Sequence, residues 1–218
     1  GHGSGADILF RAELEHYRGD LNKAEILAHK AIYIAEGNRQ SIVQLGATMH
    51  LCEIAVEKSS QEEWQNALSS MERAASFQNN SVVRTVLDTQ RGLLMNELGH
   101  HERIPEWLKS IDQIKVLPPA ARYNALFVHV CYLMQTGEYM RMIGILQAVR
   151  QSVNPYPVFA SLLNYILAAV GLIQTGDRVN ATENLEHALE LAMADGLIFL
   201  PAAYHWVLQG MPEELIRR

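Results

Sequence analysis

The chain has 218 residues, 49% of them hydrophobic, and a formal net charge of −6, with Lys and Arg scattered singly until Arg217-Arg218. That apolar content supports a packed core and argues against disorder, while the acidic balance offers no basic stripe to a phosphate backbone, so no direct nucleic-acid contact by this segment is expected. Cys52 and Cys131 stand far apart and fit buried thiols in a reducing cytoplasm better than a disulfide framework.

Taken in chain order, residues 1–7 open with Gly1-His2-Gly3-Ser4-Gly5, which reads as a disordered tag remnant. From residue 8 a pattern returns about every forty residues, within the range of helix-pair solenoids. Gly19, Gly99, Gly137 and Gly176 each sit where one helix closes and the next opens, and Glu62 stands where the second turn lacks its glycine. Five positions after each turn come Ala24, Ala67, Ile104, Met142 and Ala181. Nine positions after it come Ala28, Met71, Leu108, Leu146 and Leu185, and twelve after it Ala31, Ala74, Ile111, Val149 and Ala188. Steps of four and three keep these on one face of a hairpin's second helix, which must then be buried. On the first helix, seven positions before the turn, stand Ala12, Ala55, Gly92, Val130 and Ala169, mostly small enough to let helices approach closely.

The spacing predicts all-α structure of about eleven helices in one domain over 8–218. Hairpins fall near 8–37, 39–78, 81–117, 119–153 and 157–195, followed by a terminal helix over 198–218. Asp20 and Asp177 follow turn glycines as helix caps, and Ser60 with Glu63 forms a capping box. Pro118-Pro119 and Asn154-Pro155-Tyr156-Pro157 mark boundaries between hairpins, since proline ends helices. The longest apolar stretch, Val158 to Ile173, is too short to span a membrane, so no membrane association is expected.

Chemical motifs are near misses. Gly171-Leu-Ile-Gln-Thr-Gly176 has the glycine spacing of a phosphate loop, but Asp177-Arg178 follows where Lys and Ser or Thr are needed. His100-His101-Glu102 reads as a solvated turn, because adjacent histidines point apart. His16, His29, His50, His129 and His205 stand singly and read as half-buried helix residues. No catalytic residue, metal ligand or cofactor is assigned, and the chain is not read as an enzyme.

The run Tyr17-Arg-Gly-Asp-Leu-Asn-Lys-Ala24, continuing to Ala28 and Ala31, resembles the tetratricopeptide repeat (TPR), as do Gln174-Thr-Gly-Asp-Arg-Val-Asn-Ala181 and Ala188-Leu189. The longer period, with Glu186-His-Ala-Leu-Glu-Leu-Ala192 and Gly196-Leu-Ile-Phe-Leu-Pro201, resembles the helical-repeat sensor region of MalT-type, LuxR-family transcriptional regulators over roughly residues 8 to 218. The resemblance implies a TPR-like α-α superhelix of five hairpins. It also implies an ATP-binding module before it and a DNA-binding helix-turn-helix domain after it, so the chain looks like an excised middle piece. An effector, whether small molecule, peptide or regulatory protein, would bind the inner surface and bias the full-length regulator toward its ATP-bound, self-associating form. Helical phase nominates Asn96, Asn124, Phe127, Cys131, Gln135, Ile166 and Gln174 on the inner helices as ligand contacts. The rival expectation is a free-standing TPR-type peptide-binding adaptor or peptide-pheromone receptor. Its carboxylate-clamp form is weakened by the scatter of Arg84, Arg91 and Arg122.

Overall fold

The computed structural model describes residues 4–76, 81–151, 158–197, 199–205 and 207–217, with the side chains of all of these except 74–76 and 120. Among the described residues there are twelve α-helices and two 3-10 helices and no strand. The chain is all-α. The boundary segment 154–157 lies outside the described residues. The described residues group into two compact units, Gly1–His16 with Asp20–Tyr132 and Tyr17–Gly19 with Leu133–Arg218.

In the first unit α1 (Gly5–Tyr17), α2 (Leu21–Gly37), α3 (Ser41–Glu57), α4 (Gln61–Ser76) and α5 (Ser81–Glu97) follow one another through short turns. Helix α3 is central, packing on α2, α4 and α5. Helix α1 begins inside the stretch expected to be a disordered tag: the Ser4 hydroxyl accepts from the Ala6 amide at 3.1 Å, and the Gly5 amide donates to Gln40 Oε1 at 3.1 Å. Residues 4–7 are therefore part of the fold, anchored by a residue 35 positions away that no local reading connects to them.

A single backbone device closes the first helix of each pair. A residue with positive φ is followed by one whose amide reaches the carbonyl five residues back, the Schellman closure. It joins Asp20 to Glu15 at 2.9 Å, and at 2.8 Å His100 to Met95, Glu138 to Leu133 and Asp177 to Leu172. The preceding residues are Gly19, Gly99, Gly137 and Gly176, with φ of 86°, 72°, 76° and 86°. The second turn corrects the sequence reading. It is made by Ser59 at φ 58°, with the Ser60 amide on the Ala55 carbonyl at 2.8 Å, and Glu62 lies in the first turn of α4. The frame of that pair therefore starts three residues earlier than expected, and Cys52, Trp64, Leu68 and Met71 take the places assigned to Ala55, Ala67, Met71 and Ala74. Cys52 and Met71 are fully buried, and Trp64 and Leu68 pack against the same core. With Ser59 in place, the turns recur at a nearly uniform interval of about forty residues.

The third pair departs from a plain hairpin. Instead of the continuous second helix expected to carry Ile104, Leu108 and Ile111, the chain forms 3-10 turns at His101–Arg103 and Glu106–Lys109 and a short α6 (Ile111–Lys115). Pro105 is the cause. It offers no amide, and it holds Ile104 extended at φ −65°, ψ 133°. Ile104 and Leu108 are nonetheless buried as expected, and Ile111 is half-buried. The apolar core of this unit gathers Leu45, Met49, Met71, Leu94, Ile104, Leu108 and Val128.

Helix α7 (Pro119–Gln135) runs into the second unit, which holds α8 (Tyr139–Arg150), α9 (Val158–Gln174), α10 (Arg178–Asp195), α11 (Phe199–Ala203) and α12 (Met211–Ile216). Helix α9 packs on α8 and α10, and its middle from Leu162 to Leu163 and from Ile166 to Gly171 is buried throughout. Ala181, Leu185 and Ala188 bury the expected face of α10, capped by Asp177 accepting from the Asn180 amide at 3.2 Å. Asp20 caps α2 likewise, accepting from the Lys23 amide at 3.1 Å. The single terminal helix expected over 198–218 is two short ones. Gln209 and Gly210 separate them, with φ of 54° and 79° that no right-handed helix accepts. No described helix is long and apolar enough to cross a membrane.

Candidate functional site

The structure distributes the seven nominated residues between the two units and between core and surface. In the first unit Asn96 is buried, and its Nδ2 donates to the Val128 carbonyl at 3.1 Å, tying α5 to α7. Cys131 is buried, Phe127 is half-buried and Asn124 is exposed. In the second unit Ile166 is fully buried, Gln135 is half-buried and Gln174 is exposed at the end of α9. Asn96, Cys131 and Ile166 thus serve packing, and the amide at 96 supplies a cross-helix bond.

The dense polar chemistry lies elsewhere in the first unit. Helix α1 presents Glu13 and His16, one turn apart on one face, and α3 presents His50, Glu53 and Glu57 at the same helical spacing. Packing sets the two rows against each other. His16 Nε2 lies 2.7 Å from Glu57 Oε1, and His50 Nδ1 lies 3.1 Å from Glu53 Oε2. The imidazole centroids are 4.8 Å apart with their planes tilted by 56°. Both histidines are 3% exposed, whereas the Glu53 and Glu57 side chains keep 19% and 29% of their surface. A potential ligand atom from each of His16, His50 and Glu53 lies within 4.8 Å of the other two. Along the chain each of these histidines stands singly on its helix. The available signal was a Glu or His partner three residues away on each helix, Glu13 before His16 and Glu53 after His50, but nothing along the chain says that the two pairs meet.

The environment shifts the charges of this group. Burial lowers the proton affinity of His50, but the Glu53 hydrogen bond and charge, the Glu13 charge and the Ala12 carbonyl outweigh it, and its pKa is raised. Desolvation raises Glu13, with Glu53 adding to the rise and His50 and His16 opposing it. Glu97 of α5 joins the group electrostatically. Partial desolvation, then the like charges of Glu53 and Glu57, raise the pKa of its carboxyl, while the residue as a whole stays exposed. Glu13 is thus acted on by Glu53 and by the two imidazoles, and Glu97 by Glu53 and Glu57. Behind them Cys52 is pushed up to about 12 by burial and by Glu53 and Glu97, which keeps its thiol protonated and unreactive.

Other features the sequence singled out are structural. Gly171 is buried within α9, and Gly176 is its turn residue, so neither belongs to a phosphate loop. His100, His101 and Glu102 are exposed, with His100 Nδ1 at 3.5 Å from Glu102. His129 is fully buried, its Nδ1 donating to the Leu108 carbonyl at 3.0 Å. An open groove of about 750 Å³ in the second unit is bordered by α8 and α10, where Arg150 donates to Asn184 at 2.7 Å and lies 4.9 Å over the Tyr165 ring. No known protein family matches the chain, and neither a curated protein nor a solved structure shows significant similarity to it.

Proposed function

We propose that this chain is the effector-sensing helical-repeat domain of a MalT-type, LuxR-family transcriptional regulator, built as a TPR-like α-α superhelix and working in the cytoplasm. The observation that carries the reading is the turn device recurring at Gly19, Ser59, Gly99, Gly137 and Gly176, each time with buried apolar positions at matched offsets. Hairpins repeated in this way share their cores with their neighbours and leave helix faces free for recognition. The segment itself binds. ATP hydrolysis and DNA contact belong to flanking domains of the full-length protein, and the effector acts by its unequal affinity for two arrangements of the regulator.

Of the nominated contacts, Asn124 and Gln174 are accessible to an effector, and Phe127 and Gln135 partly so. A thermal-shift screen of metabolites and peptides tests the binding role, since a ligand of the native state raises the melting temperature. The expected hit loses its effect in Asn124→Ala or Gln174→Ala while the unliganded melting temperature is unchanged. Reading the gene on either side tests the regulator assignment. A Walker motif upstream and a helix-turn-helix downstream support it, and a gene with neither turns the assignment toward the free-standing peptide-binding adaptor.

A further inference from the structure

We propose that His16, His50 and Glu53 form a binding site for one divalent transition-metal ion of the zinc class. The proposal stands apart from the regulator reading, because it rests on side chains of α1 and α3 alone. Two imidazoles and one carboxylate are a donor set that suits zinc and its first-row neighbours. Two of the three donors, His50 and Glu53, are three residues apart on one helix, so their spacing is held by the backbone. The third comes from the facing helix, which makes the site a product of packing.

Geometry leaves a short distance to close. The donor atoms lie within 4.8 Å of one another, and neighbouring ligands on a tetrahedral ion with bonds of about 2.0–2.1 Å are roughly 3.3 Å apart. His50 Nδ1 and Glu53 Oε2, 3.1 Å apart, already stand near that separation, so the distance left to close is the one to His16 on the facing helix. Glu57, already 2.7 Å from His16, plays the orienting part that a carboxylate beside a metal-bound histidine performs.

The test uses the full 218-residue chain, stripped with a chelator and titrated with Zn²⁺ by calorimetry and with Co²⁺ by visible absorption. The expected result is one high-affinity ion per chain, a Co²⁺ spectrum of low-symmetry nitrogen and oxygen coordination, and a metal-dependent rise in melting temperature. His16→Gln and His50→Gln each weaken binding by about tenfold or more, in keeping with the loss of a metal contact. His187→Gln removes the exposed His187–Glu190 pair in the second unit, which has the same i, i+3 spacing, and leaves binding unchanged. Where a histidine variant does not fold, Glu53→Gln, altered at a partly exposed position, carries the test by a several-fold loss. A folded chain that binds no Zn²⁺, or whose binding survives Glu53→Gln and both histidine variants, overturns the proposal.

Discussion

Two glycines on successive first and second arms show how far a single methyl group depends on its surroundings. At Gly92 an added Cβ would lie 2.7 Å from Val128 Cγ1 and 2.9 Å from Leu108 Cδ1, both fully buried, whereas at Gly144 it would meet nothing within 4 Å. Overpacking a full core costs about 1–3 kcal/mol, and replacing a helical glycine recovers about 0.5–1 kcal/mol. Gly92→Ala is therefore expected to lower stability by about 1–2 kcal/mol, and Gly144→Ala to raise it by up to about 1 kcal/mol. Urea titrations of the two variants would show opposite shifts of the midpoint, and equal shifts would refute the close approach at Gly92. Asn96 makes a different point. Its amide bond to Val128 is buried, so Asn96→Ala is expected to cost about 1–3 kcal/mol in the same titration, far more than trimming the exposed Asn124.

Among the elements, the turns decide where each helix stops. Of the five closures that end the first helices of the pairs, four use glycine, and the second uses Ser59 in a left-handed conformation that costs an L-residue roughly 1–2 kcal/mol. Ser59→Gly relieves that strain at some cost in unfolded-chain entropy, and a net gain of about 0.5–1 kcal/mol is expected as a higher melting temperature. Serine carries no mark comparable to that of glycine, so this turn does not stand out along the chain. The Schellman bond from Ser60 to Ala55 is what identifies it. Pro105 illustrates the complementary case. Its effect on Ile104 was readable from local rules, yet the burial of Ile104 and Leu108 on a broken arm shows that core positions persist where helix continuity does not.

At the scale of the whole chain, the first unit holds two carboxyls, Glu13 and Glu97, whose protons are bound more tightly in the folded state. For Glu97 this means that stability is greatest when folded and unfolded states are both protonated, below the ordinary value of 4.5. It falls as pH rises from there through the elevated folded value. Glu53 and Glu57 of α3 are the charges that face it. In chelator-treated protein Glu97→Gln is accordingly expected to melt above the parent at about pH 7 and together with it at about pH 4. A difference of the same size at both values would contradict the assignment. His50 has the same sign: the stability it contributes is fully present below 6.5 and is lost as pH rises through its raised folded value.

Helix content, the period near forty residues, the caps at Asp20 and Asp177 and the burial of Ala24, Ala28 and Ala31 were all legible along the chain. They depend on dihedral preference, hydrogen-bonding groups a few residues apart and the 3.6-residue turn of a helix. The anchoring of Gly5 by Gln40 and the meeting of Glu13 and His16 with His50, Glu53 and Glu57 were not. Those contacts join residues about forty positions apart, and their existence depends on which faces of α1 and α3 are pressed together. Local chemistry therefore writes the helices and their ends, and only packing decides that two unremarkable histidines meet across α1 and α3, each beside a glutamate.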